Sequence, residues 1–123
     1  MEKTTKILTV DDSRSMRALL RVALLERGYD VAEAEDGVEA LEWLETNSAD
    51  VIITDINMPR LDGFGLIEKV RSSSRHIDRP ILVLTTESSD EKKKRARDAG
   101  ATGWIVKPFD PEKLAAAVRR VAH

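Results

Sequence analysis

Four short apolar runs each end on a polar residue with chemical use, and that repetition restricts the fold more than any other feature of the chain. Ile7-Leu8-Thr9-Val10 leads into Asp11 and Asp12. Val51-Ile52-Ile53-Thr54 leads into Asp55, Ile81-Leu82-Val83-Leu84 into Thr85, and Trp104-Ile105-Val106 into Lys107. The runs lack strict alternation, as strands buried on both faces do. As neighbouring parallel strands they would bring three carboxylates, a hydroxyl and an ammonium to one sheet edge. Open α/β sheets bind ligands at that edge.

The intervening segments carry helical spacing. Met16, Leu19, Leu20 and Ala23 predict a helix over 14–27, with Gly28 as its C-cap. Val31 to Glu35 read as a more polar strand near a sheet edge, followed by an Asp36-Gly37 turn. Val38, Leu41 and Leu44 form the inner stripe of a second helix, on which Trp43 packs. Residues 57–63 read as a loop from their Pro and Gly content. A third helix runs from about Phe64 to Arg71, and a polar connector then reaches Pro80. Ser88 and Glu91 offer a capping box for a fourth helix that ends at Gly100. Pro111 fits the first turn of a last helix with the stripe Leu114, Ala117, Val118 and Val121. The pattern is βα repeated five times, which predicts an α/β fold with a five-stranded parallel sheet and helices on both faces. No linker or repeat marks a second domain, so 1–123 reads as a single domain.

Composition excludes several function classes. The chain is 41% hydrophobic and 34% charged, as a soluble globular protein is. A net charge of −2 creates no field for nucleic acid or membrane. There is no cysteine, hence no disulfide, thiolate nucleophile or cysteine metal site. No apolar stretch approaches the roughly 20 residues of a membrane span. The start, Met1 to Thr5, lacks a signal-peptide core, so the expected compartment is the cytoplasm. Gly63-Phe64-Gly65 lacks the third glycine and the preceding strand of a dinucleotide fingerprint. His76 and His123 read as ordinary surface histidines.

Three carboxylates at one edge repel each other, and a hard divalent cation with oxygen ligands, Mg²⁺, relieves that repulsion. Alone, Asp11-Asp12 would read as the N-cap of the helix that follows. Asp55 after a second strand shifts the reading to metal. Lys107 precedes Pro108, which biases it to extended geometry and projects it from the strand end. The bond between them is a candidate cis peptide. A cation, an ammonium and the Thr85 hydroxyl make a phosphoryl-binding set. Asp55 is the acid placed centrally enough to be the nucleophile, giving an aspartyl phosphate.

The strings VDDS at 10–13, TDINMP at 54–59, LTTES at 84–88 and VKPF at 106–109 closely resemble the receiver domains of two-component response regulators. The stand-alone length resembles the chemotaxis type. The resemblance covers nearly the whole chain. It implies a flavodoxin-like sheet of order 2-1-3-4-5, without an output domain. It implies that Asp55 accepts phosphoryl from a histidine kinase. Asp12, Asp55 and the Asn57 backbone carbonyl would then bind Mg²⁺ directly, and Asp11 largely through water. Lys107 would pair with the phosphoryl group, and Thr85 would bond one of its oxygens. Asn57 and Glu87 would tune hydrolysis by orienting water, while the bulk of Thr86 would slow access. A phosphoform lasting on the order of seconds to minutes is expected. Trp104 stands where relatives carry Tyr or Phe, an aromatic that moves inward with the threonine.

Lys92-Lys93-Lys94-Arg95 with Arg97 is a basic run on the fourth helix. It reads equally as a solvated face or as a docking surface for an acidic partner, formed with the last strand and last helix. The expected protein is a cytoplasmic monomer that catalyses only its own phosphorylation and dephosphorylation. Its expected partners are a chemotaxis histidine kinase, the flagellar motor switch and a phosphatase, with no nucleic acid or membrane insertion. Two rivals stand beside this. One is a phosphate sink or relay intermediate that binds no motor. The other is a phosphatase acting through an aspartyl phosphate, against which Asn57 counts, since an acid is needed there.

Overall fold

A computed structural model describes residues 4–122. The first three residues and His123 lie outside the described residues, so the readings of the leader and the terminal histidine rest partly or wholly outside it. Ten elements alternate along the chain: β1 Lys6–Val10, α1 Arg14–Leu25, β2 Asp30–Ala34, α2 Gly37–Thr46, β3 Val51–Thr54, α3 Gly63–Arg71, β4 Ile81–Thr85, α4 Asp90–Ala99, β5 Gly103–Val106 and α5 Pro111–Val121. All strand pairings are parallel, in the order β2-β1-β3-β4-β5. The chain steps outward from β1 to β2, then returns past β1 to β3. The crevice between β1 and β3 is the switch point where such sheets bind ligands.

Successive strand residues face opposite sides of a sheet, and here both sides are apolar. Leu8, Val10, Ile52, Ile81 and Val83 pack with Ala40, Leu44, Phe64, Ile67, Val70 and Ala96, which places α2, α3 and α4 on one face. Ile7, Val51, Ile53, Leu82 and Leu84 pack with Leu20, Leu24, Leu114 and Val118, which places α1 and α5 on the other. The runs of β1, β3 and β4 therefore lack alternation because neither face meets water, whereas β5, at the sheet edge, is only partly buried and Val106 is 40% exposed.

The helices correct several sequence expectations. In α1 the sheet-facing residues are Leu20, Ala23 and Leu24, whereas Leu19 is 58% exposed. It lies one step of about 100° from the centre of the stripe. Glu26 is the C-cap, and Gly28 turns the chain two residues later with φ +85°. Asp36-Gly37 is no free turn, because Asp36 caps α2 by accepting from the Glu39 amide at 2.9 Å. The buried stripe of α2 is Gly37, Ala40 and Leu44, with Leu41 and Trp43 packed beside it and Val38 turned partly outward. The cap of α4 is Ser89, one residue after the expected Ser88, and it accepts from the Lys92 amide. His76 is buried, not superficial. Its Nε2 donates to the Leu44 carbonyl at 2.9 Å, while Arg75 donates to the Leu44 and Glu45 carbonyls. The connector after α3 thus folds back to close the C-terminal end of α2.

Helix α4 is anchored differently from the rest. Ala96 is its one fully buried residue, and the Arg95 guanidinium lies 4.0 Å over the Phe64 ring on α3.

Candidate functional site

Register brings the run-ends together. Val10 pairs with Thr54, so Asp11 and Asp55 leave the sheet side by side. Each extends the ladder by one bond, Asp11 N to the Ala34 carbonyl and Asp55 N to the Val10 carbonyl. Across the sheet Thr85 pairs with Val106, and the Lys107 amide donates to the Thr85 carbonyl at 2.8 Å. The Lys107-Pro108 peptide is cis.

The side chains converge on one another. Lys107 Nζ donates to Asp11 Oδ2 at 2.8 Å and to Asp55 Oδ2 at 2.7 Å, with all three side chains nearly buried. Asp11 Oδ1 accepts from the Ser13 amide, and Asp55 Oδ1 accepts from the Ile56 amide at 2.6 Å. Ser13, not an aspartate, caps α1, which leaves the acid pair free of that duty. Burial works to lower the Lys107 pKa, but the hydrogen bonds and charges of Asp11 and Asp55 outweigh it, and the net shift is upward. Lys107 is therefore a fixed positive charge.

Asp11, Asp12 and Asp55 each offer an oxygen, and these lie within 4.8 Å of one another. Asp12 is exposed and faces solvent. Three carboxylates against one ammonium leave two negative charges, the complement of a divalent cation. An all-oxygen set open to water fits Mg²⁺ rather than a soft metal.

The remaining predicted residues form a second layer. Thr85 is fully buried, and its hydroxyl accepts from the Glu87 amide at 3.4 Å. Thr86 is exposed beside it. Glu87 Oε1 accepts from Asn57 Nδ2 at 3.2 Å and from Lys92 Nζ at 2.9 Å. The Lys92 and Asn57 bonds, in that order, hold the Glu87 carboxyl below its ordinary range. Trp104 is half-buried, and its indole N–H donates to the Glu87 carbonyl.

Sequence reasoning missed the contacts of three residues. Arg17 donates to the Asp11 carbonyl at 2.6 Å and to Glu33, bracing the loop after β1. Lys92 was legible only as part of a basic run, although it reaches back to Glu87. Arg60 bonds Asp36, 24 residues away, and no local pattern announces such a pair.

This fold and acidic edge define a class, and residues 7–119 match the family model described as the response regulator receiver domain. The chain belongs to that family of two-component response regulators. Its relatives include Chemotaxis protein CheY1 of Helicobacter pylori, 48% identical over 111 residues that span 89% of this chain and 90% of that protein. The chemotaxis response regulator CheY4 of Vibrio cholerae superposes with a TM-score of 0.91 at 47% identity, covering 97% of this chain and 99% of that one. The receiver domain of sensor histidine kinase PA1611 from Pseudomonas aeruginosa, with a magnesium ion in its active-site cleft, superposes with a TM-score of 0.89 at 26% identity over 97% of this chain and 98% of that one. Among the described residues no helix is long and apolar enough to cross a membrane.

Proposed function

We propose that the chain is a phosphorylation switch with Asp55 as acceptor and a histidine kinase as donor. The observation that carries the reading is Lys107 Nζ held 2.7 Å from Asp55 Oδ2 and 2.8 Å from Asp11 Oδ2, beside Asp12. An Asp55 oxygen attacks phosphorus of a phosphohistidine. The P–O bond forms as the P–N bond breaks, and the imidazole leaves with the electron pair. Lys107 neutralises the transferred charge, and Thr85 turns its hydroxyl to a phosphoryl oxygen. Asp12, Asp55 and the Asn57 carbonyl would hold Mg²⁺ directly and Asp11 through water, and the bound ion supplies positive charge to the phosphoryl oxygens. Positioning and charge neutralisation carry most of such transfers. Asn57 and Glu87 orient the water that later hydrolyses the acyl phosphate, and exposed Thr86 modulates its access. The protein catalyses these two steps on itself and acts on no external substrate.

Output passes through Trp104 to a protein partner. Two clefts, of about 220 and 350 Å³, flank Trp104 between α4, β5 and α5, and Lys93, Arg97, Lys113 and Arg120 line them without a single acidic residue. That surface suits an acidic segment, and the chemotaxis names of CheY1 and CheY4 favour the flagellar motor switch as its source. The protein would act as a cytoplasmic monomer. Labelling with phosphoramidate tests the acceptor: label should appear at Asp55, require Mg²⁺ and vanish in Asp55→Asn. Label that survives that substitution or ignores chelation overturns the reading. Partner capture should rise with beryllofluoride and Mg²⁺, and capture indifferent to them contradicts the switch.

A further inference from the structure

The loop from Ile56 to Asp62 leads from the acceptor strand into α3 and carries Asn57. It is closed at its base, where the Gly63 amide donates to the Ile56 carbonyl at 2.8 Å. Its far side holds Arg60, which has φ +67°, the one positive value outside glycine among the described residues. A side chain with a Cβ is disfavoured there, and such residues persist only where their surroundings over-determine them. The surroundings here are specific. Arg60 Nε donates to Asp36 Oδ2 at 2.7 Å and Nη2 to Asp36 Oδ1 at 3.1 Å, a two-point bond. The Asp36 side chain is 3% exposed, although that of Arg60 is 52% exposed. Asp36 is itself fixed as the cap of α2, and next to it the Gly37 amide donates to the Leu61 carbonyl at 3.1 Å. A Cβ on Gly37 would press on Leu61, so the loop rests directly against the start of α2.

We propose that Arg60 is a positioning residue for the cation site: its left-handed backbone and its two bonds to Asp36 pin the loop so that Asn57 stands ready beside Asp55. This rests on the reading of Asp55 and its neighbours as a Mg²⁺-dependent phosphoacceptor site. A surface ion pair without this role would affect only stability. A pinned loop affects the cation, because a ligand carbonyl on a loose loop must be ordered when the ion binds.

The test is titration of the full chain with Mg²⁺ alone, followed by calorimetry, on Arg60→Asn, Asp36→Asn and the double variant. Asn tolerates the left-handed region and also caps helices, so Arg60→Asn removes the tether and Asp36→Asn removes its charge and one of its two bonds, while each spares the backbone and the cap. Arg60→Gly, which adopts the same φ freely, provides a second version if the Asn variant folds poorly. The Mg²⁺ midpoint should rise about tenfold in each single variant, the lower end for losing an outer partner of a metal site. The double variant should be no worse than the worse single, since both remove one interaction. The phosphoramidate labelling rate at saturating Mg²⁺ should stay within about twofold of the parent, because the ion reorders the loop once bound. An unchanged midpoint in folded variants, or effects that multiply in the double, overturns the proposal even if Tm falls. Should the parent chain bind no Mg²⁺ or label elsewhere than Asp55, the site reading falls and this inference with it. A normal parent with normal variants removes the inference alone.

Discussion

Trp104 donates its indole N–H to the backbone carbonyl of Glu87 at 3.1 Å, tying the last strand to the loop after β4. The Glu87 amide in turn donates to the Thr85 hydroxyl, so a threonine that turns toward a phosphoryl group gives up a bond in the same loop. The aromatic and the hydroxyl therefore hold the same residue of one loop, Glu87, through its backbone.

Trp104 should report any movement of that loop. In a Trp43→Phe background, beryllofluoride with Mg²⁺ is expected to shift the emission of the remaining indole. Trp104→Phe should cost about 1 kcal/mol for the lost hydrogen bond, read from urea midpoints. Emission that stays fixed while the mimic binds would show a static tryptophan.

Lys107→Ala leaves Asp11 and Asp55 facing each other with little solvent. Breaking a buried pair in this way is expected to cost about 3 kcal/mol in the presence of chelator. Because a cation replaces the lost charge, Mg²⁺ should raise Tm more in the variant than in the parent. Equal Mg²⁺ shifts in the two proteins would count against Lys107 as the site's resident counter-ion.

Gly63→Ala tests how closely α3 approaches the acceptor. A Cβ there would collide with the Asp55 carbonyl oxygen and the Ile56 Cα. Overpacking against backbone should cost about 1–3 kcal/mol and slow labelling at Asp55 through displacement of its peptide. A variant that is destabilised yet labels at the parent rate would separate helix packing from acceptor geometry.

Acid should weaken the Asp36 clamp in a defined direction. The Arg60 guanidinium, with help from the Glu39 amide and against burial, holds the Asp36 carboxyl below its ordinary value of 3.8. A depressed folded value means stability that is complete above the unfolded pKa and fades as pH falls through the folded one. The gap in urea midpoint between parent and Arg60→Asn should hold steady from about pH 7 to about pH 5 and shrink below about pH 4. A gap that is constant down to about pH 3 would speak against this coupling.

The parts legible in the sequence were those governed by local pattern. The β1, β3 and β4 runs follow from burial on two faces, the partly exposed β5 run was legible from its apolar residues alone, and the strand order came from the resemblance. Helix stripes were read less well, because two adjacent leucines such as Leu19 and Leu20 cannot both face the sheet, and periodicity alone did not choose between them. His76 misled because it lies in a mostly polar connector, while its ring is buried by a turn that serves the end of α2. Arg60 with Asp36 and Lys92 with Glu87 were illegible because side-chain reach across elements leaves no periodic trace.

Helix α4 buries one residue fully, Ala96, and rests a guanidinium on Phe64 of α3. An alanine brings one methyl group to a core, where a leucine would bring several carbons at about 0.8 kcal/mol each. Of the five helices α4 thus has the fewest fully buried residues, and a tenfold change in any equilibrium that moved it would ask for only about 1.4 kcal/mol. In the language of circuits, a contact as slight as that of Ala96 would set a low trigger threshold for any partner that reads this helix.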